Sequence, residues 1–311
     1  MWHAGLFGRY LILGVIALCL LASPLLKADS TPTIKYQHTK SPNDKRDEYF
    51  LQLLKLALDE SRVEYGDYHL QQASSLTTQD RAFALVKAGQ YIDVTWVMSS
   101  TARERDALAI PIPLLKGLLG YRTLLVANDR LKEFDAVDSL TQLAKFTAIQ
   151  GTGWPDVDIL RYNHLNVITS PDYESLFNML RRHRADYFPR GISEVWLELN
   201  RPVSAEITLK TNLVLFYRSP IYFFVSRRNP QLAARIKRGL ELAASNGRFD
   251  QLFYSRPEIR KAIELLEQRE HRIVELELPW TLPSLQQVDP AHWYQHDNSA
   301  FSKMGRDALG N

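Results

Sequence analysis

Hydrophobic and polar positions switch between two periods along the chain. Residues 33–37 form a short β-prone run and a polar passage containing SPNDKRDE follows. In YFLQLLKLALDES, Phe50, Leu54, Ala57 and Leu58 then fall at i, i+4, i+7 and i+8, one face of a helix. In TTQDRAFALVKAG, Thr77 with Asp80 three residues later fits a capping box, and Gly89 supplies the stop. The run YIDVTWVM at 91–98 suits a buried strand. The alternation repeats downstream: a strand at 146–149, a helix at 155–162, a strand at 166–169, a helix from Ser170-Pro171 through His183, and a strand at 185–188. This order predicts an α/β protein with a parallel sheet and helices on its faces. The strand-rich ITLKTNLVLFYRSPIYFFVSRR comes next, and Asn229-Pro230 opens an amphipathic helix that Asn246-Gly247 closes. Helical sequence resumes from 257 to about 270, and the last thirty residues, with turns at Pro283 and Pro290, read as an extended tail.

The length of 311 residues suits two lobes, and no fixed-period repeat or Gly/Ser linker separates them, so crossing strands are expected to join them. The N-terminus, MWHAGLFGRYLILGVIALCLLASPLLKADS, has one early arginine, an apolar run and small residues before Asp29, the grammar of a secretory signal peptide spanning 1–28. An uncleaved anchor is the rival reading, since the run approaches the ~20 apolar residues of a span. The single cysteine, Cys19, lies in this segment, and Leu18 before it speaks against lipid attachment. After export no disulfide, thiolate nucleophile or cysteine-bound metal remains. Removing 1–28 deletes Arg9 and Lys27 and takes the formal charge from +3 to about +1, which gives no global preference for nucleic acid.

Three stretches carry candidate chemistry. IQGTGWPDVDIL runs from a strand through Gly151-Thr152-Gly153-Trp154 into a proline-started helix, a turn whose free N–H groups and helix dipole suit an anion. It lacks the lysine of the P-loop and the third glycine of the dinucleotide fingerprint, so neither nucleotide motif is present, and a purely structural turn is the competing reading. SSTARERDALAIPIPLLKGLLGYR begins at the sheet edge where α/β folds bind ligands; its Arg103 and Arg105 suit a carboxylate, or pair with Glu104 or Asp106 at the surface. In ADYFPRGISEVWLEL, Pro189 is read as stopping a strand and Arg190 as sitting on the following turn, facing a cleft or solvent. H-E-x-x-H, G-x-S-x-G and S-x-x-K are absent after residue 28, and His292 and His296 stand in a polar tail, so neither an enzyme nor a metal or other cofactor is expected. The short basic clusters 181–184 and 227–228 read as solvated faces.

Taken in order, residues 32–255 resemble the bacterial periplasmic solute-binding protein family 3, the type II binding proteins of amino-acid uptake. The likeness is carried by IDVTWVMSSTARERDALAIPIPL, LTQLAKFTAIQGTGWPDVDIL, YESLFNMLRRHRADYF and YRSPIYFFVSRRNPQLAARIKRGLELAASNGRFDQLF. The resemblance implies a two-lobed α/β fold with two crossing hinge strands: a first lobe of residues 30–119 plus 219–275, a second of 120–218, and a C-terminal tail of 276–311. It also implies closure over a small solute, with an ABC permease or a sensor protein as partner, a periplasmic location and a monomer. The family's carboxylate-binding arginine falls on Arg103, in the stretch Ser100-Thr101-Ala102-Arg103, with Arg105 as the second choice, and its anion seat on Gln150-Gly151-Thr152; Gly153 and Ser100 are counted with these as ligand-binding residues. Tyr36 and Trp154 are the expected aromatic walls. The family's ammonium-receiving aspartate has no counterpart at Arg190-Gly191, which makes an anionic solute the expectation.

Overall fold

The computed structural model describes residues 31–39, 46–268 and 270–294. The expectations for residues 1–28 and for His296 fall outside them. In chain order the first part holds β1 (Thr33–Thr39), α1 (Arg46–Glu60), β2 (His69–Thr77), α2 (Gln79–Ala88), β3 (Val94–Met98), α3 (Thr101–Asp106) and β4 (Leu108–Ala109). The middle holds β5 (Tyr121–Ala127), β6 (Thr147–Gly151), α4 (Pro155–Tyr162), β7 (Asn166–Ser170), α5 (Tyr173–Arg181), β8 (Phe188–Gly191), α6 (Val195–Leu199) and β9 (Ile207–Phe216). The last part holds β10 (Ile221–Val225), α7 (Pro230–Ser245), α8 (Arg248–Ser255), α9 (Pro257–Glu267) and β11 (Arg272–Glu275).

The first lobe is framed by a five-stranded sheet in the order β2-β1-β3-β10-β4. It is mixed, not parallel as the alternation predicted: β1 pairs parallel with β2 and β3, whereas β10 runs antiparallel to β3 and β4. The reason is topological. The chain returns from the second lobe on a direct strand, with no helix to turn it round. Every residue of β3 and β10 is buried, which explains why both read as unbroken apolar runs. Helix α1 packs Leu53, Leu54, Ala57 and Leu58 into the core and crosses α7 at Gly239, where a Cβ would stand 1.7 Å from the Ala57 carbonyl oxygen. Only glycine permits that approach.

In the second lobe β6 and β7 pair in parallel, and a bridge from Ala148 to Tyr187 leads into β8. The two lobes are joined through a four-stranded sheet ordered β11-β9-β5-β8, in which β5 and β9 run antiparallel. Strand β8 includes Pro189 and Arg190, so Pro189 does not stop it; β8 is an edge strand, where a missing N–H leaves no gap in a ladder. Helix α2 is capped by Thr78, whose Oγ1 accepts from the Arg81 N–H at 3.4 Å, because Thr77 is still the last residue of β2. Strand β3 starts at Val94, later than the 91–98 reading, since Tyr91 takes a left-handed φ of 60°.

Residues 270–294, after α9, pack against the rest of the molecule. Strand β11 pairs with β9, and Leu276, Leu282, Val288 and Trp293 are buried beyond it. Trp293 lies so close over Gly117 that a Cβ there would stand 2.5 Å from the indole, and the Tyr294 N–H donates to the Lys116 carbonyl at 2.8 Å. No helix among the described residues is long and apolar enough to cross a membrane.

Candidate functional site

A cavity of about 660 Å³ opens where residues of both lobes face one another. The first lobe contributes Asp47, Tyr49, Phe50, Asp80, Trp96 and Met98; the hinge strand β5 contributes Arg122; the second lobe contributes Gly151, Thr152, Trp154, Asp156, Arg190, Ser193 and Glu194. Glu258 and Ile259 of α9 also line it, as do Asp172 and Glu174 at the start of α5.

The glycine turn follows from its local sequence. Gly151 ends β6, the Thr152 N–H donates to the Ser170 carbonyl at 3.0 Å, and Gly153 takes a φ of 80° that starts α4 at Pro155. Trp154 folds back over the α-carbon of Gly151, where a Cβ would stand 2.3 Å from its ring. Its indole stacks on Phe188 at 6.4 Å and 22°. The Arg190 guanidinium sits 4.9 Å from the Trp154 ring centre and 5.0 Å from that of Phe188. Arg190 is therefore buried against two rings, and does not sit on a solvated turn. Its Nε donates to both carboxylate oxygens of Glu198 at 3.0 Å and its Nη2 to Glu198 Oε1 at 2.6 Å; Nη2 also meets Glu194 Oε1 at 3.0 Å. Burial alone would lower its pKa, but Glu194 and Glu198 outweigh it and hold it raised.

Arg122 is 2% exposed at the hinge. Its Nη2 is 3.0 Å from Asp156 Oδ1 and 3.4 Å from Met98 Sδ, and its Nη1 is 3.4 Å from Glu194 Oε2. Tyr217, from the other crossing, lies under the guanidinium at 5.2 Å and donates its hydroxyl to Asp156. Burial drives that phenol well above its ordinary pKa, so it remains a donor. One guanidinium thus ties both crossings to each lobe.

Arg103 is held in the first lobe. The Ser100 Oγ caps α3 by accepting the Arg103 N–H at 3.3 Å, which aims the side chain back along β3. Its Nη1 donates to the Met98 carbonyl at 2.8 Å, its Nη2 to Asp80 Oδ1 at 2.9 Å, and the Phe83 ring lies 5.6 Å away. Burial lowers its pKa, against the opposing pull of Asp80.

Of the residues expected at the site, Gly151, Thr152, Trp154 and Arg190 line the cavity. Arg103 stands behind Asp80, Ser100 serves as a cap, Gly153 abuts Asp80, and Tyr36 lies behind Trp96 with ring centres 6.5 Å apart. The sequence reading passed over Asp47, Asp80, Trp96, Arg122 and Glu194. For Arg122 a signal existed: a charge inside the buried run YRTLLVA demands a partner. Glu194 stands over Gly191: its Oε2 accepts the Gly191 N–H at 3.1 Å and lies 2.6 Å from where a Cβ would be. Among the described residues no cluster of His, Cys, Asp or Glu is arranged to hold a metal ion.

No protein-family model and no curated protein matches the sequence. Solved structures do. An ancestral arginine-binding protein bound to arginine superposes with a TM-score of 0.55 at 15% identity, covering 72% of this chain and 97% of its own. The chain has the type II periplasmic binding fold. A histidine kinase sensor domain with similarity to periplasmic binding proteins gives 0.54 at 13% identity over 73% of this chain and 95% of its own. A Listeria monocytogenes protein described as a candidate L-cystine ABC transporter gives 0.52 at 15% over 72% and 95%. In this fold the cavity lies in the cleft between the lobes, spanned by β5 and β9.

Proposed function

We propose that this protein is a periplasmic solute-binding protein that closes on a small, anionic solute for ABC-type uptake. The observation that carries the reading is the cleft itself: about 660 Å³ lined by both lobes, with Gly151 and Thr152 of the glycine turn and the carboxylate-paired guanidinia of Arg122 and Arg190 on its wall. A volume of this order fits a metabolite-sized ligand. The lobes are residues 30–119 plus 219–275 and residues 120–218, hinged near Gly120 and Ser219. Thr152, Trp154 and Arg190 would meet the solute from the second lobe, Trp96 from the first. Binding is non-covalent and no chemical step is assigned.

A ligand-sensing module for a signalling partner is the second reading, supported by the likeness to a histidine kinase sensor domain. Gene neighbourhood separates the two, since uptake requires an adjacent permease and ATPase. The direct test is thermal unfolding against amino acids, dicarboxylates, sugar acids and oligopeptides. A ligand at about one hundred times its Kd adds about 2.7 kcal/mol, several degrees in midpoint. No shift with any anionic solute would remove the uptake reading as stated.

A further inference from the structure

The Gly153 α-carbon and the Arg103 guanidinium converge on one carboxylate, and it is the protein's own. Asp80 Oδ1 is 2.9 Å from Arg103 Nη2, while Asp80 Oδ2 lies 2.1 Å from where a Cβ on Gly153 would stand. Asp80 belongs to the first turn of α2 in one lobe; Gly153 belongs to the turn opening α4 in the other. Arg103 is almost wholly buried, with its remaining contacts made to the Met98 carbonyl and the Phe83 ring, whereas the Asp80 side chain is 46% exposed and lines the cavity. The guanidinium therefore meets the cleft only through Asp80.

We infer that Asp80 occupies the place of a solute carboxylate at Arg103 and is a specificity-determining residue: a solute carboxylate reaches Arg103 only by displacing it. This rests on the solute-binding reading and narrows it. Asp80 sets a threshold, because a carboxylate must exchange for one already in place, held at no translational cost. Solutes whose only handle is a carboxylate at this seat are rejected, and those with further contacts in the cleft succeed. Without Asp80, Arg103 is a buried cation lacking its carboxylate, the condition that favours uptake of an outside anion.

The test compares wild type, Asp80→Ala and Asp80→Ala/Arg103→Ala by tryptophan fluorescence during titration with sodium acetate and L-glutamate, against sodium chloride at matched ionic strength. Asp80→Asn, nearly isosteric, replaces the alanine variant if circular dichroism shows that the latter is misfolded. The expected result is a saturable response in Asp80→Ala with a Kd at least tenfold lower than in wild type, lost in the double variant. Equal titration of wild type and Asp80→Ala, including no response in either, overturns the inference, as does a gain that survives loss of Arg103. A solute from the thermal panel that binds wild type and Asp80→Ala equally would leave the solute-binding reading standing and remove this one.

Discussion

Replacing Arg190 by methionine keeps roughly the volume packed against Trp154 and Phe188 but strips three charge-assisted hydrogen bonds from Glu198, a carboxylate with no exposed surface. Breaking one side of a buried ion pair costs about 3–5 kcal/mol, because the remaining charge stays desolvated. Glu194 keeps Arg122, so the loss falls mainly on Glu198. At about 2–4 °C per kcal/mol for a chain of this size, Arg190→Met should lower Tm by roughly 6–20 °C. If the cost is a buried charge that has lost its counter-ion, with the Tyr173 hydroxyl still donating to it, and not lost packing, Arg190→Met/Glu198→Met should recover at least about 2 kcal/mol of it, since apolar replacement of a whole buried pair is often neutral. Urea unfolding with a check on constant m reads both variants. A double variant as unstable as the sum of the two single variants would refute the reasoning.

Three further outcomes follow from the geometry. Burial lowers the His292 pKa, and its Nδ1 has no hydrogen-bond partner, so the folded state favours the neutral ring. Stability is then complete above the unfolded value of about 6.5 and falls as pH drops through it toward the lower folded value; a thermal-midpoint profile across pH 5 to 8 should flatten in His292→Phe. Gly153→Ala should destabilise, through its positive φ and its collision with Asp80, and in an Asp80→Ala background part of that loss should vanish; additive losses in chemical unfolding would deny the contact. Trp293→Ala removes the ring over Gly117 and the stack beneath Arg218 at 5.0 Å, costing about 3 kcal/mol, and should make the segment after α9 sensitive to limited proteolysis.

The elements that were legible in sequence are those set by local rules. Pro155, Pro230 and Pro257 each start a helix, and the 3.6-residue spacing of α1 marks its buried face. What local rules do not encode is direction and edge: β10 reads the same whether parallel or antiparallel, and Pro189 ends a strand only if that strand is central. The site shows the same division. The glycine turn and Arg190 announce themselves by type and position. That Asp80 covers Arg103 depends on packing between residues 23 positions apart, and that Glu194 stands over Gly191 depends on a tight turn before α6. The buried residues after α9 were missed because Leu276, Leu282, Val288 and Trp293 follow no period.

The chain after α9 touches the molecule beside both crossings. Strand β11 adds a ladder to residues 213–216 of β9, and Trp293 and Tyr294 press on Lys116 and Gly117 just before β5. A lone pair of antiparallel strands is a ribbon that twists readily. With β8 and β11 along its edges, the span between the lobes is a plank four strands wide, and its torsional stiffness rises with each hydrogen-bonded rail. Under the proposed closure, rotation of the lobes would therefore be a mechanical act on the C-terminal segment as well, which would have to bend or lift as the cleft changes its angle.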